Sequence, residues 1–151
     1  MLTSRRILVR WALCLATGVV PLVAGAQQLV SIRANVANLR AAPGKSGELL
    51  WQLDRGYPLE VLERQGRWLK VRDFEGDQGW VAASTTGARP YHVVRARSAR
   101  LRAGPGDEHP AVGYAVYGQV LQTELRGADW VRVRLAPGRT AWIARDLLWG
   151  W

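Results

Sequence analysis

The chain writes most of itself twice. Asn38-Leu39-Arg40-Ala41-Ala42-Pro43-Gly44 returns as Arg100-Leu101-Arg102-Ala103-Gly104-Pro105-Gly106, and the two copies then run at a constant offset of 62 without a gap. Arg33, Gly56, Leu59, Arg64, Trp68, Val71, Arg72, Gly76 and Trp80 recur as Arg95, Gly118, Leu121, Arg126, Trp130, Val133, Arg134, Gly138 and Trp142. Turn glycines and strand tryptophans coincide in one register, which marks a duplicated unit. By length alone, 151 residues would make one domain. The duplication instead divides the chain into units at 29–86 and 91–149, each close to the lower size at which a domain folds alone. Such a unit buries only about 60% of its unfolded surface. A few large side chains must therefore supply much of the core, and eight tryptophans suit that need.

Within each copy the pattern is one of strands and turns. Leu29 to Arg33 alternates apolar with polar, Val36 to Leu39 keeps the same period, and Leu49 to Leu53 is a short apolar strand. Leu59 to Arg64 and Trp68 to Arg72 flank Gln65-Gly66-Arg67 as a hairpin, and Gln78 to Ala82 closes the unit. No window of 11 or more residues after the first 26 holds a helical period. The expectation is an all-β fold of two tandem small barrels, each of about five short strands and closed to remove exposed edges. Thr85 to Pro90 reads as a short polar linker, and Leu147-Leu148-Trp149-Gly150-Trp151 as an apolar end with no counterpart in the first copy.

Residues 1–26 read as an export signal and its helix. Arg5, Arg6 and Arg10 form a basic start, Trp11 to Val23 is apolar, and Ala24-Gly25-Ala26 is a small-residue cleavage pattern. The apolar run falls short of the ~20 residues of a membrane span, so no stable span is expected after cleavage. Adjacent arginines leave both Sec and twin-arginine export open. The location implied is periplasmic or secreted. Cys14, the only cysteine, lies inside this signal, so disulfides, thiolate catalysis and cysteine metal sites are excluded from the remainder.

Residues 29–86 hold 8 basic and 7 acidic side chains, a net of +1, whereas residues 91–149 hold 9 and 5, a net of +4. Basic character thus belongs to the second copy. An exported basic protein meets anionic envelope polymers rather than nucleic acid.

Catalytic signatures are missing. There is no Gly-x-Ser-x-Gly element and no phosphate-binding loop. Glu60 and Glu63 point to opposite faces of their strand by parity. His92 sits in a strand and His109 in a solvated loop, which gives no metal set. No enzyme and no cofactor are expected, and a separate catalytic domain has no room in this sequence.

The succession Asn-Leu-Arg-x-x-Pro-Gly, a Gly before an apolar strand, Gly-x-Trp-x-x-Val and Gly-Trp-Val resembles the bacterial Src homology 3 (SH3b) domain. Both copies carry it, over about 29–86 and 91–149. The second departs mildly, with Ala128-Asp129-Trp130 and Ala141-Trp142-Ile143. The resemblance implies SH3-like barrels and recognition of bacterial cell-wall material, peptidoglycan first. The reading is an exported, non-enzymatic binder of peptidoglycan or another anionic envelope polymer. The alternative is a periplasmic adaptor that binds an envelope protein through the second barrel and its Trp-rich end.

Small barrels bind extended peptides along aromatic grooves between loops, and arginine forks hold carboxylates bidentately. The candidate ligand-binding residues are therefore Arg40, Trp51, Trp68, Arg102, Tyr114, Tyr117 and Trp130. Trp80 and Trp142, in the closing strands, are expected in the core with Leu39 and Leu101. Arg40 and Arg102 could equally hold turn carbonyls.

Overall fold

The computed structural model describes residues 27–151; the segment read as a signal, with its helix and Cys14, lies outside the described residues. The strands of the first copy are β1 (Leu29–Ile32), β2 (Val36–Arg40), β3 (Leu49–Asp54), β4 (Pro58–Gln65), β5 (Trp68–Arg72), β6 (Gln78–Ala82) and β7 (Thr86–Gly87). Those of the second are β8 (Tyr91–Val94), β9 (Ser98–Arg102), β10 (Ala111–Val116), β11 (Val120–Arg126), β12 (Trp130–Ala136), β13 (Arg139–Ala144) and β14 (Leu148–Gly150). A single 3-10 turn, Ala83–Thr85 or Arg145–Leu147, precedes the last strand of each.

Each copy is one antiparallel seven-stranded sheet, ordered β3-β2-β6-β5-β4-β1-β7 and β10-β9-β13-β12-β11-β8-β14. Both curl around their own core. The hydrogen-bonded ladder does not run full circle: β3 and β7 end the first, β10 and β14 the second. A further difference from the sequence expectation is the strand count. The presumed linker contains β7, which pairs with β1 through Ser31↔Gly87 and Ile32↔Thr86. The presumed unmatched C-terminus is its partner at the same offset of 62: β14 pairs with β8 through Leu148↔Val94 and Trp149↔Val93. A two- or three-residue strand carries no readable period, and its hydrogen bonds go to residues more than 50 positions away. Local pattern therefore could not find it.

The buried core repeats position by position. Ile32, Ala37, Leu39, Leu53, Leu59, Leu69, Val71 and Val81 fill the first unit. Val94, Ala99, Leu101, Ala115, Leu121, Val131, Val133 and Ile143 fill the second. Leu53 shrinks to Ala115, Leu69 to Val131 and Ile32 to Val94. The second unit compensates with Ala141 for Gly79, Ile143 for Val81, and buried Leu148 for Thr86. Its apolar C-terminus is thus core material, as close packing demands once larger residues are lost.

The two units touch directly. Ser31 Oγ donates to O of Arg89, in the connection between them, at 2.7 Å. The Tyr91 ring lies so close to Gly56 that a Cβ there would sit 2.7 Å from Cε1. Tyr117 of the second unit packs against Phe74 of the first, with centroids 5.3 Å apart and rings tilted by 59°, and Phe74 in turn meets Tyr57 at 6.4 Å and a tilt of 55°. The Tyr117 hydroxyl donates to Glu75 Oε1 at 2.6 Å, and that bond raises its pKa. At the offset of 62, Phe74 and Tyr117 correspond to Ala136 and Arg55, so these contacts exist once and join the copies.

Candidate binding clefts

In each unit the β2–β3 or β9–β10 loop, the β4–β5 or β11–β12 hairpin turn and the 3-10 turn converge beside one half-buried tryptophan. This is the first residue of its strand, which brings its ring to the rim of the sheet rather than into the core. In the first unit Trp68 walls a cleft of about 810 Å³ with Lys45, Arg64, Gln65, Gly66, Arg67, Ala82, Ala83 and Ser84. On its other side lies a smaller pocket of about 270 Å³, reaching Asn38 and Arg40. Lys45, Arg64 and Arg67 are exposed, and among the described residues none of them enters an ion pair.

The second unit builds the same cleft from different charges. Trp130 walls about 660 Å³ with Arg95, Asp107, Ala128, Asp129, Ala144, Arg145, Asp146 and Leu148. Its side pocket of about 250 Å³ reaches Ser98, Arg100 and Arg102. Lys45 is replaced by Asp107, Arg67 by Asp129 and Ser84 by Asp146. The two pockets of the first unit are lined by four cations and no acid; those of the second by four arginines and three aspartates. Net charge per unit therefore misleads. The more basic unit has the less cationic cleft.

Arg40 and Arg102 are tied into the loops that shape these clefts. Arg40 Nη1 donates to Gly47 O at 2.7 Å, and Arg102 Nη1 donates to the equivalent His109 O at 2.8 Å. Arg102 also binds Asp107, through its carbonyl at 2.9 Å and its carboxylate at 2.8 Å. The loop walls approach so closely that one side must be glycine. A Cβ at Gly47 would lie 2.5 Å from Ala42 O, and one at Gly104 would lie 2.6 Å from the His109 ring. The glycine has changed sides between copies, from 47 to 104. The His109 ring lies over Gly104, while its side chain remains 41% exposed in the loop.

Residues 35–86 and 97–148 each match the Bacterial SH3 domain family. The chain belongs to that family. Its SH3b units are also similar to a Bacillus subtilis (strain 168) protein named "Putative N-acetylmuramoyl-L-alanine amidase YrvJ", 23% identical over 135 residues. That match covers 82% of this chain and 26% of the relative, so the chain spans about a quarter of the relative's length. Among solved structures, it is similar to an NlpC/P60 family protein from Bacillus cereus ATCC 10987, with 18% identity, a TM-score of 0.39, and coverage of 82% and 56% of the two chains. It is also similar to NlpC1 from Trichomonas vaginalis, with 13% identity, a TM-score of 0.38, and coverage of 81% and 45%.

The SH3b fold separates the candidate residues into three places. Trp68 and Arg40 meet at the first cleft, and Trp130 and Arg102 at the second. Trp51 and Tyr114 lie on the edge strands β3 and β10, 56% and 63% exposed, and line neither cleft. Tyr117 serves the contact between units. Trp80 is buried, whereas Trp142 is half-buried. Sequence reasoning missed Lys45, Arg64 and Arg67. Comparing charge position by position across the repeat, instead of summing it per unit, would have exposed the Lys45/Asp107 and Arg67/Asp129 reversals. Among the described residues no helix is long and apolar enough to cross a membrane.

Proposed function

We propose that the protein is an exported, non-enzymatic binder of cell-envelope material, peptidoglycan first, which it grips through the Trp68 cleft. The observation that carries this reading is the Trp68 cleft: an aromatic wall, an alanine floor and, among the described residues, cations without ion-pair partners brought together from the β2–β3 loop and the β4–β5 hairpin. The amidase name of the Bacillus subtilis relative supports a wall setting. SH3b units supply binding, not chemistry, so no enzymatic activity is assigned to residues 27–151.

The test is sedimentation of the chain lacking residues 1–26 with purified peptidoglycan. Retention that is released as salt rises is the expected result, since exposed charge contacts are screened over about 8 Å at physiological ionic strength. Failure to co-sediment at low salt would overturn the reading.

A protein partner is the second reading, and the edge strands favour it. Val112, Tyr114 and Val116 on β10 are all exposed beside an unpaired strand edge, the arrangement that accepts an added strand. Because β14 is a strand of the second sheet, removing Trp149 to Trp151 would damage the fold. Tyr114→Lys is the cleaner probe. Loss of a co-purifying protein with peptidoglycan retention intact would favour this reading.

A further inference from the structure

We propose that the two clefts are sorted by charge: the first is a receptor for the carboxylate of a short extended peptide with small apolar side chains, and the second is not. This deepens the wall-binding reading and rests on it. The first cleft is lined by Lys45 from the β2–β3 loop, by Arg64 near the end of β4 and by Arg67 from the turn that follows it, beside Trp68. None of the three is neutralised by a neighbouring carboxylate among the described residues. Placing like charges around one cleft is repulsive, and an arriving anion relieves it. Arginine supplies the planar fork that matches a carboxylate, with lysine adding a point charge.

The floor decides the remainder of the ligand. Ala82 and Ala83 beside the tryptophan ring form an apolar surface that methyl-sized side chains cover well. A sugar-phosphate chain would press its hydroxyls against that floor without hydrogen-bond partners. In the second cleft the equivalent positions carry Asp107, Asp129 and Asp146, which offset its arginines, Arg102 being already bound to Asp107, and so leave less uncompensated positive charge for the same carboxylate.

The experiment follows the indole N–H signals of Trp68 and Trp130 by NMR in the 15N-labelled chain lacking residues 1–26. The probe is acetyl-Ala-Ala with a free carboxylate, compared with its C-terminal amide. The expected result is a saturable shift at Trp68, at least tenfold weaker for the amide and at least tenfold weaker in Lys45→Glu/Arg67→Glu. A second variant, Asp129→Arg with Asp146→Ser, writes first-unit residues into the second unit and should create a response at Trp130. An equal or larger shift at Trp130 in the unaltered chain would overturn the proposal. So would no shift at Trp68, equal response to the amide, or displacement of the peptide by equimolar glycerol phosphate. Co-sedimentation with peptidoglycan that survives a silent Trp68 would sink this inference alone; a responsive Trp68 without co-sedimentation would sink the wall reading alone.

Discussion

The first and second units share a backbone, a register and eight core positions, yet they differ in where they place charge and volume. The second unit has lost three larger core side chains and regained apolar bulk from its final strand. Its cleft has exchanged a lysine and an arginine for aspartates. Duplication thus preserved the positions that must be buried or must turn, and freed those at the rim. Tertiary packing constrains a residue only where neighbours surround it, so rim residues could diverge without cost to either fold.

The largest expected break in this comparison is at the last strands. Leu148 is 6% exposed and packs in the second core. Leu148→Ala should cost the second unit roughly 3–4 kcal/mol through lost transfer energy and a residual cavity. Thr86→Ala, at the equivalent place, should cost about 1 kcal/mol for its hydrogen bond to Ala83 O. Urea unfolding followed through signals of each unit separates the two. Equal costs would show that the compensation argument is wrong.

Next comes acid sensitivity, which should belong to one unit only. His92 is buried, with Nδ1 2.6 Å from Thr123 Oγ1, where the first unit has the valine pair Val30 and Val61. Burial pushes its pKa from the ordinary 6.5 to about 4; Arg126 and Arg145 add to the effect, and a hydrogen bond with the Trp151 backbone opposes it. The folded state therefore resists a proton that the unfolded chain accepts. Stability is full above pH 6.5, falls as pH drops from 6.5 to 4, and levels off below. The whole drop is about 3 kcal/mol at ~1.4 kcal/mol per pKa unit. His92→Val/Thr123→Val, which copies the first unit, should flatten this profile. A second unit that stays equally acid-sensitive in that variant would refute the assignment.

The smallest effect concerns the contact between units. Phe74→Ala should cost about 1 kcal/mol of aromatic contact and leave each sheet intact. It should also release the units from one another, seen as distinct rotational correlation times in 15N relaxation where the unaltered chain shows one. Unchanged relaxation would show that Gly56–Tyr91 and Ser31–Arg89 suffice.

Legibility followed the range of the interactions. Strands β1 to β6 were readable because alternation, turn glycines and hairpin spacing are local. Leu39 and Leu101 were readable as core because their period places them inward. β7 and β14 were not, since their partners lie far away in sequence. The tryptophans at 68 and 130 were marked by their place beside a hairpin turn, but Tyr117 could not be assigned to the contact between units before its partner Phe74 was placed next to it. Lys45 and Arg67 sit in ordinary polar loops, and nothing local distinguishes a cleft-lining cation from a solvated one.

By itself, the sequence determined that the protein is two copies of one all-β unit, where each copy turns, and that Leu39 and Leu101 are buried. Repetition, glycine and period 2 encode those directly. Only the tertiary structure decided that the C-terminus is a core strand, that the units meet through Tyr91 and Tyr117, and that the cationic cleft belongs to the less basic unit. Each of those depends on loops brought together from distant parts of the chain, and proximity of that kind has no periodic signature.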